Sequence, residues 1–245
     1  ASCLVGSEMC IRDRYITAMK KFSFNFLKEN NMVAIFSGSR WMSAKPAGMD
    51  WLMKMAKLYK DHGADFYMNI PVRGTQNPGV DLGAQFESAK AYGEFMDKLN
   101  DDSNYQSLMQ QVLTEGTSMI SMVNSYECTA DPEMGKLIDT SLPYFKITVF
   151  ASAGPGKMES MMKSTAIAKK LQEAMGVDVS VWRGIAGEPP AFVYIEGHKS
   201  CTAYGEMLDG SNASDDFNKW VNDAMNDPSG VIGIQTLARS IKHMV

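Results

Sequence analysis

Residues 88–100, SAKAYGEFMDKLN, return at 200–212 as SCTAYGEMLDGSN, with seven of thirteen positions identical at a separation of 112 residues. A long-period repeat means that one supersecondary unit is written twice and that the two copies bury a surface neither can bury alone. The likeness extends outward from this core. Tyr105 and Leu108 answer to Phe217 and Trp220, Pro46-x-x-Met49 to Pro155-x-x-Met158, Gly63-Ala-Asp65 to Gly176-Val-Asp178, and Val33-Ala-Ile-Phe36 to Ile147-Thr-Val-Phe150.

Each copy reads in the same order. A strand (32–40; 145–152) leads through a Pro/Gly turn into an amphipathic helix (47–62; 157–175). Two strands joined by a Gly/Pro-rich hairpin follow (65–70 and 80–87; 177–183 and 191–197), then a helix pair (88–99 and 103–113; 200–209 and 214–226) and a last strand (117–126; 230–238). The pattern is βαββαβ, the ferredoxin-like order. The predicted fold is therefore α+β, with two tandem ferredoxin-like units over 32–126 and 144–240, packed sheet to sheet as an intrachain pseudo-dimeric α/β barrel. The polar, turn-rich stretch 127–143 is the expected linker. Ser103-x-x-Gln106 reads as a capping box and Ser214 as an N-cap. Gly93 and Gly205 stand within or at the start of their helices, where glycine is costly, so a close backbone approach is expected there.

Side chains alternate across a strand, so the faces can be sorted. Ile147, Val149, Val177, Val179, Val181, Val193 and Ile195 form an aliphatic face expected to meet the helices. Thr148, Phe150, Trp182, Tyr194 and Glu196 are expected on the opposite face, facing the barrel. In the first unit Ile35, Phe66 and Met68 oppose Phe36, Arg40, Tyr67 and Asn69. Its third strand, Val80 to Phe86, has its helix-facing side one residue out of step with the repeat. A lining that is aromatic and polar together suits a small-molecule site. The candidate ligand-binding residues are Phe36, Arg40, Tyr67, Asn69, Phe150, Trp182 and Tyr194.

The residues also resemble a family. The two units look like tandem dimeric α/β-barrel domains, most like NIPSNAP-type members, with antibiotic-biosynthesis-monooxygenase and EthD-type groups as relatives. The likeness is carried by Pro155-Gly156-Lys157 after a strand, by Phe86-Glu87-Ser88 before a helix, and by the turns Ser103-Asn-Tyr105 and Ser214-Asp-Asp-Phe217. It covers nearly all of 32–240; the first unit departs from it at Lys45-Pro46-Ala47-Gly48. The resemblance implies a fold more than an activity. It points to a cofactor-independent oxygenase- or isomerase-like enzyme on an apolar or aromatic substrate. The alternatives are a non-catalytic interaction or stress-response module whose barrel is filled by its own side chains, and a haem-binding protein with His198 as the ligand.

Other chemistry is argued against by spacing. His62, His198 and His243 form no zinc pattern, and no metal site or cofactor is expected. Gly154-Pro155-Gly156-Lys157 lacks the first glycine and the Ser/Thr of a phosphate loop. Cys201 near a helix start is a candidate low-pKa thiol, or else an inert buried one. Net charge is −4 with no basic stripe, so nucleic acid is not an expected partner. No apolar run approaches the roughly 20 residues of a membrane span. A monomer or homodimer in the cytoplasm is expected. Residues 3–14, CLVGSEMCIRDR, resemble one translated frame of a sequencing-library adapter, so 1–14 are set aside as an artefact of a shotgun, metagenomic read and 15–31 are an uncertain extension.

Overall fold

A computed structural model describes residues 33–42, 45–74, 79–116, 119–187 and 192–245, with backbone only at 185–187. The expectations for residues 1–31 lie outside the described residues. The elements run β1 (Ile35–Met42), α1 (Pro46–Asp61), β2 (Asp65–Gly74), β3 (Val80–Phe86), α2 (Ala89–Asp101), α3 (Ser103–Glu115), β4 (Ser121–Ala130), β5 (Tyr144–Ser152), α4 (Met158–Ala174), β6 (Asp178–Gly187), β7 (Phe192–His198), α5 (Cys201–Ala213), α6 (Asp215–Asn226) and β8 (Gly230–Ser240). A 3-10 turn at Lys242–Met244 follows.

Within each unit the strand order is that of a ferredoxin-like sheet, β4-β1-β3-β2 and β8-β5-β7-β6. The units do more than stack. Strand β2 pairs with β8 and β4 with β6, all antiparallel, so eight strands close into one hydrogen-bonded barrel with no free edge.

Local signals explain the helix ends. Gly63 and Gly176 adopt positive φ, 77° and 81°, just past α1 and α4, where a side chain would be strained. Ser88 and Ser200 cap α2 and α5 by accepting from the amides of Ala91 and Ala203. Ser214 caps α6 through Phe217 N–H as predicted. The capping box at Ser103 does not form. Asp102 is the cap of α3, accepting from Asn104 and Tyr105, and Gln106 turns to the Asn100 carbonyl instead. An ionised carboxylate one residue earlier displaces the hydroxyl. Gly93 and Gly205 meet no atom within 4 Å of where a Cβ would stand, so the expected close approach is absent. The tyrosine before each glycine instead packs on the end of the preceding strand, Tyr92 on Phe86 and Tyr204 on His198.

The first unit's helices and sheet enclose an apolar core around Trp51, Leu52, Met55, Phe66, Leu82 and Leu99. The connection between units is less a linker than a plug. Ile138 and Leu142 pack into the barrel's inner cluster. Gln85 holds the Ile138 peptide on both sides, accepting from its N–H at 2.9 Å and donating to its C=O at 2.5 Å.

Candidate functional site

The strand registers decide which side chains face inward, because residues paired across an antiparallel ladder share a face. Phe36 pairs with Gln85 and Cys128, Arg40 with Asp81, Asn69 with Asp81 and Ser240, and Trp182 with Ala130 and Val193. Phe36, Arg40, Tyr67, Asn69 and Trp182 of the candidate set are therefore brought together inside the barrel.

They fill it. The Phe36 ring stacks on Tyr67 at 4.9 Å and 2°, and meets Trp182 at 5.4 Å. Tyr67 and Tyr126 share a hydroxyl hydrogen bond of 3.0 Å. Gly38 and Gly83 give the Tyr67 hydroxyl its space; a Cβ on either would collide with it. Burial drives the Tyr67 phenol well above its ordinary range, with Tyr126 beside it adding to the effect. Arg40 is buried and grips Asp81 with two bonds, Nε to Oδ1 at 2.6 Å and Nη2 to Oδ2 at 2.5 Å. Burial opposes its charge, and the Asp81 carboxylate outweighs burial, so the guanidinium is held above its ordinary pKa. Arg183, next to Trp182 in β6, lies on the outer face and is paired with Asp131. Arg40 Nη1, Asn69 Oδ1 and Trp182 Nε1 have no hydrogen-bond partner among the described residues.

Phe150 and Tyr194 are not in the barrel. Tyr194 pairs with Val181 and Thr148, and Glu196 with Val179 and Lys146. Since Val179 and Val181 pack under the helices with Met161 and Met207, the aromatic and polar residues of β5 and β7 face the helices too. Ile147, Val193 and Ile195 face the lumen in their place, beside Phe36 and Trp182. The expected orientation of these two strands is thus inverted. The strand Val80–Phe86 faces its helices as its own pattern says, and with β7 inverted it is in step with the repeat, Leu82 answering to Tyr194 and Ala84 to Glu196.

The inversion makes a pocket. A cavity of about 330 Å³ lies between the second unit's sheet and helices α4 and α6. Its floor is Lys146, Thr148 and Phe150 of β5, Tyr194 and Glu196 of β7, and Gln235 of β8. Its roof includes Met161 and Ala168 of α4 and Phe217 and Trp220 of α6. The Trp220 indole N–H donates to Ser164 at its carbonyl, 3.0 Å, and at Oγ, 2.9 Å, tying the two roof helices together. On the floor, Lys146 Nζ donates to Glu196 Oε1 at 2.8 Å. The Glu196 side chain is 2% exposed and the Lys146 side chain 15%. Burial pushes the Glu196 carboxyl up, but His198 and Lys146 outweigh it and hold it below its ordinary value. Tyr194 donates to Gln172 Oε1 at 2.5 Å, and burial raises its phenol.

The first unit has no such polar floor. The register that places Lys146 against Glu196 places Ser37 against Ala84 at the corresponding rungs, counted from Tyr144↔His198 and Ile35↔Phe86. Trp51, 1% exposed, donates to the Leu108 carbonyl at 2.8 Å and occupies the space between helices and sheet.

His198 is buried, its ring edge-on to Tyr204 and its Nε2 3.5 Å from Glu196 Oε2. It does not line the pocket. His62 Nε2 donates to Asp102 Oδ2 at 2.9 Å where α1 ends. Cys128 is buried, and burial pushes its thiol up to about 12; Cys201 is exposed at the start of α5. Among the described residues no group of three or more His, Cys, Asp and Glu is placed to hold a metal ion, and no helix is long and apolar enough to cross a membrane.

Lys146, Glu196, Gln172, Phe217 and Trp220 were outside the sequence-derived candidate set. The signal for the floor was present as two alternating triplets, Lys146-x-Thr148-x-Phe150 and Tyr194-x-Glu196-x-His198, on strands whose other face is aliphatic.

No protein-family model matches the chain, and no curated protein matches it. Solved structures do. A candidate monooxygenase from Lactobacillus acidophilus NCFM aligns over 85% of this chain and 96% of its own, at TM-score 0.54 and 11% identity. A candidate monooxygenase from Fusobacterium nucleatum aligns over 85% and 92%, at TM-score 0.52 and 11% identity. A haem-binding protein from Thermus thermophilus aligns over 85% and 91%, at TM-score 0.50 and 8% identity. The chain has the fold of the dimeric α/β-barrel proteins, built here from two halves of one polypeptide.

Proposed function

We propose that this chain binds a small apolar or aromatic molecule in the pocket beneath α4 and α6, and not inside the barrel. The observation that carries the reading is a cavity of about 330 Å³ with an aromatic roof over a floor that holds the buried Lys146–Glu196 pair. Removing two charges from water is costly, and packing the same space with apolar side chains is often neutral or stabilising. A buried ion pair beside an open cavity is therefore a functional-site signature. The roof would bury the ligand's ring, and the ammonium would stabilise negative charge on a ligand oxygen, the step that enolisation, and hence isomerase or cofactor-free oxygenase chemistry, requires. The neighbours described as monooxygenases agree with this class.

The stacked rings of Phe36, Tyr67 and Trp182 support the alternative reading for the barrel itself, an interior filled by the chain's own side chains. Haem fits poorly. Among the described residues the pocket lining contains no histidine, and His198, the residue the haem reading needs, is buried outside it beside Glu196 and Tyr204.

Isothermal titration with a panel of one- to three-ring aromatics tests the proposal. At least one should bind the wild type, and Ala168→Phe, which fills the roof, should weaken it by about tenfold or more. No binding by any member, or equal binding to Ala168→Phe, would overturn it.

A further inference from the structure

We infer that the pocket selects anionic aromatic ligands, a carboxylate or phenolate on a planar ring, and that Lys146 is its specificity-determining residue. The inference rests on the pocket reading above and adds the charge of the ligand. Lys146 and Glu196 are the charged residues of the lining, and they are unequally open. The Glu196 carboxylate is sealed in, with Oε1 occupied by Lys146 and Oε2 buried 3.5 Å from His198 Nε2, where no hydrogen bond forms. The Lys146 side chain is the more exposed of the two, and of its three ammonium donors Glu196 takes one. A ligand entering the pocket therefore meets the cation, with the carboxylate behind it acting as a positioning residue.

The other polar groups of the floor do not compete for this role. The Tyr194 O–H is committed to Gln172, and Thr148 Oγ1 accepts from Gln235 Nε2 at 3.3 Å. A neutral amide gains little from an ammonium, a cation is repelled, and an oxyanion gains most where apolar walls exclude water. Phe150, Phe217 and Trp220 supply those walls, which favours a flat ring over a hydrated anion such as phosphate.

The test is calorimetric titration of the full chain with naphthoate and with naphthamide, which share shape and differ in charge. The wild type should bind naphthoate about tenfold or more tightly than naphthamide. The doubly neutral variant Lys146→Met/Glu196→Gln, which leaves no lone buried charge, should lose that preference while still binding the amide. Lys146→Arg should keep it. Equal affinities in the wild type, or a preference that survives in the double variant, would overturn the selection and leave the pocket reading standing. Failure of both probes to bind, with the aromatic panel also silent, would overturn both.

Discussion

At the scale of single residues, Arg40 shows how a ligand-like side chain becomes a structural one. An arginine and a tryptophan at the end of a lining strand suggest a hand held out to an anion. In the barrel Asp81 takes that hand with two bonds, and the pair is buried. Such a pair is not itself strong evidence for stability, but breaking it leaves one uncompensated charge in an apolar surround. Arg40→Met should therefore destabilise the fold by about 3–5 kcal/mol, whereas Arg40→Met/Asp81→Leu should lie within about 1–2 kcal/mol of wild type. Urea unfolding of the three proteins checks this; equal losses for the single and double variants would show that the arginine acts through packing and not through charge. Lys146 and Glu196 differ in one respect that matters. Their pair borders an open cavity, while Arg40 and Asp81 sit among stacked rings.

At the scale of elements, α2 and α5 carry the clearest signature of the repeat and one avoidable weakness. Gly93 and Gly205 lie in helix interiors, with negative φ and with open space where a Cβ would point. Alanine removes backbone freedom from the unfolded chain and restores helix propensity. Gly93→Ala and Gly205→Ala should each raise stability by about 0.5–1 kcal/mol, and should add because the two sites lie in different units. Thermal melts of the two singles and the double measure it, and a loss in either single would mean a neighbour absent from this structure. The strands and helices themselves were legible, since period and turn chemistry are local. Strand facing was legible only where the helix side is plain core, as in Ile35, Phe66 and Met68. It was inverted for β5 and β7 because the aliphatic residues Ile147, Val193 and Ile195 fill the lumen while Tyr194 and Glu196 floor the pocket. One strand's alternation is blind to parity. The pairing of Glu196 with Val179 settles it, and that pairing is a tertiary fact. The same blindness hid Phe217 and Trp220 as roof residues, since an aromatic stripe on a helix reads as core until a cavity is seen beneath it.

At the scale of the whole molecule, the barrel should behave as one cooperative body. Two seams, β2 with β8 and β4 with β6, join the halves by main-chain hydrogen bonds, and the segment after β4 fastens to both. On the first unit it is held by Gln85, and Thr140 bonds Asp65; on the second, Lys136 exchanges two bonds with Ser180, and Asp131 takes Arg183. Gln85 is the point where this plug can be loosened with one change. It is 2% exposed, and its amide satisfies both the N–H and the C=O of Ile138 while also donating to Asp65 at 2.6 Å. Gln85→Ala leaves those buried groups unpaired, at about 1–3 kcal/mol for each group that water cannot reach. The expected loss is about 2–4 kcal/mol in total, with unfolding still a single transition followed alike by helix signal and tryptophan fluorescence. Trp51 reports on the first unit, Trp220 on the second and Trp182 on the lumen they share, so the test is sensitive to which part moves. Two resolved transitions would mean that the seams are weak and that each unit stands on its own core; one transition, shifted as a whole, means that the plug and both halves share a single free energy of folding.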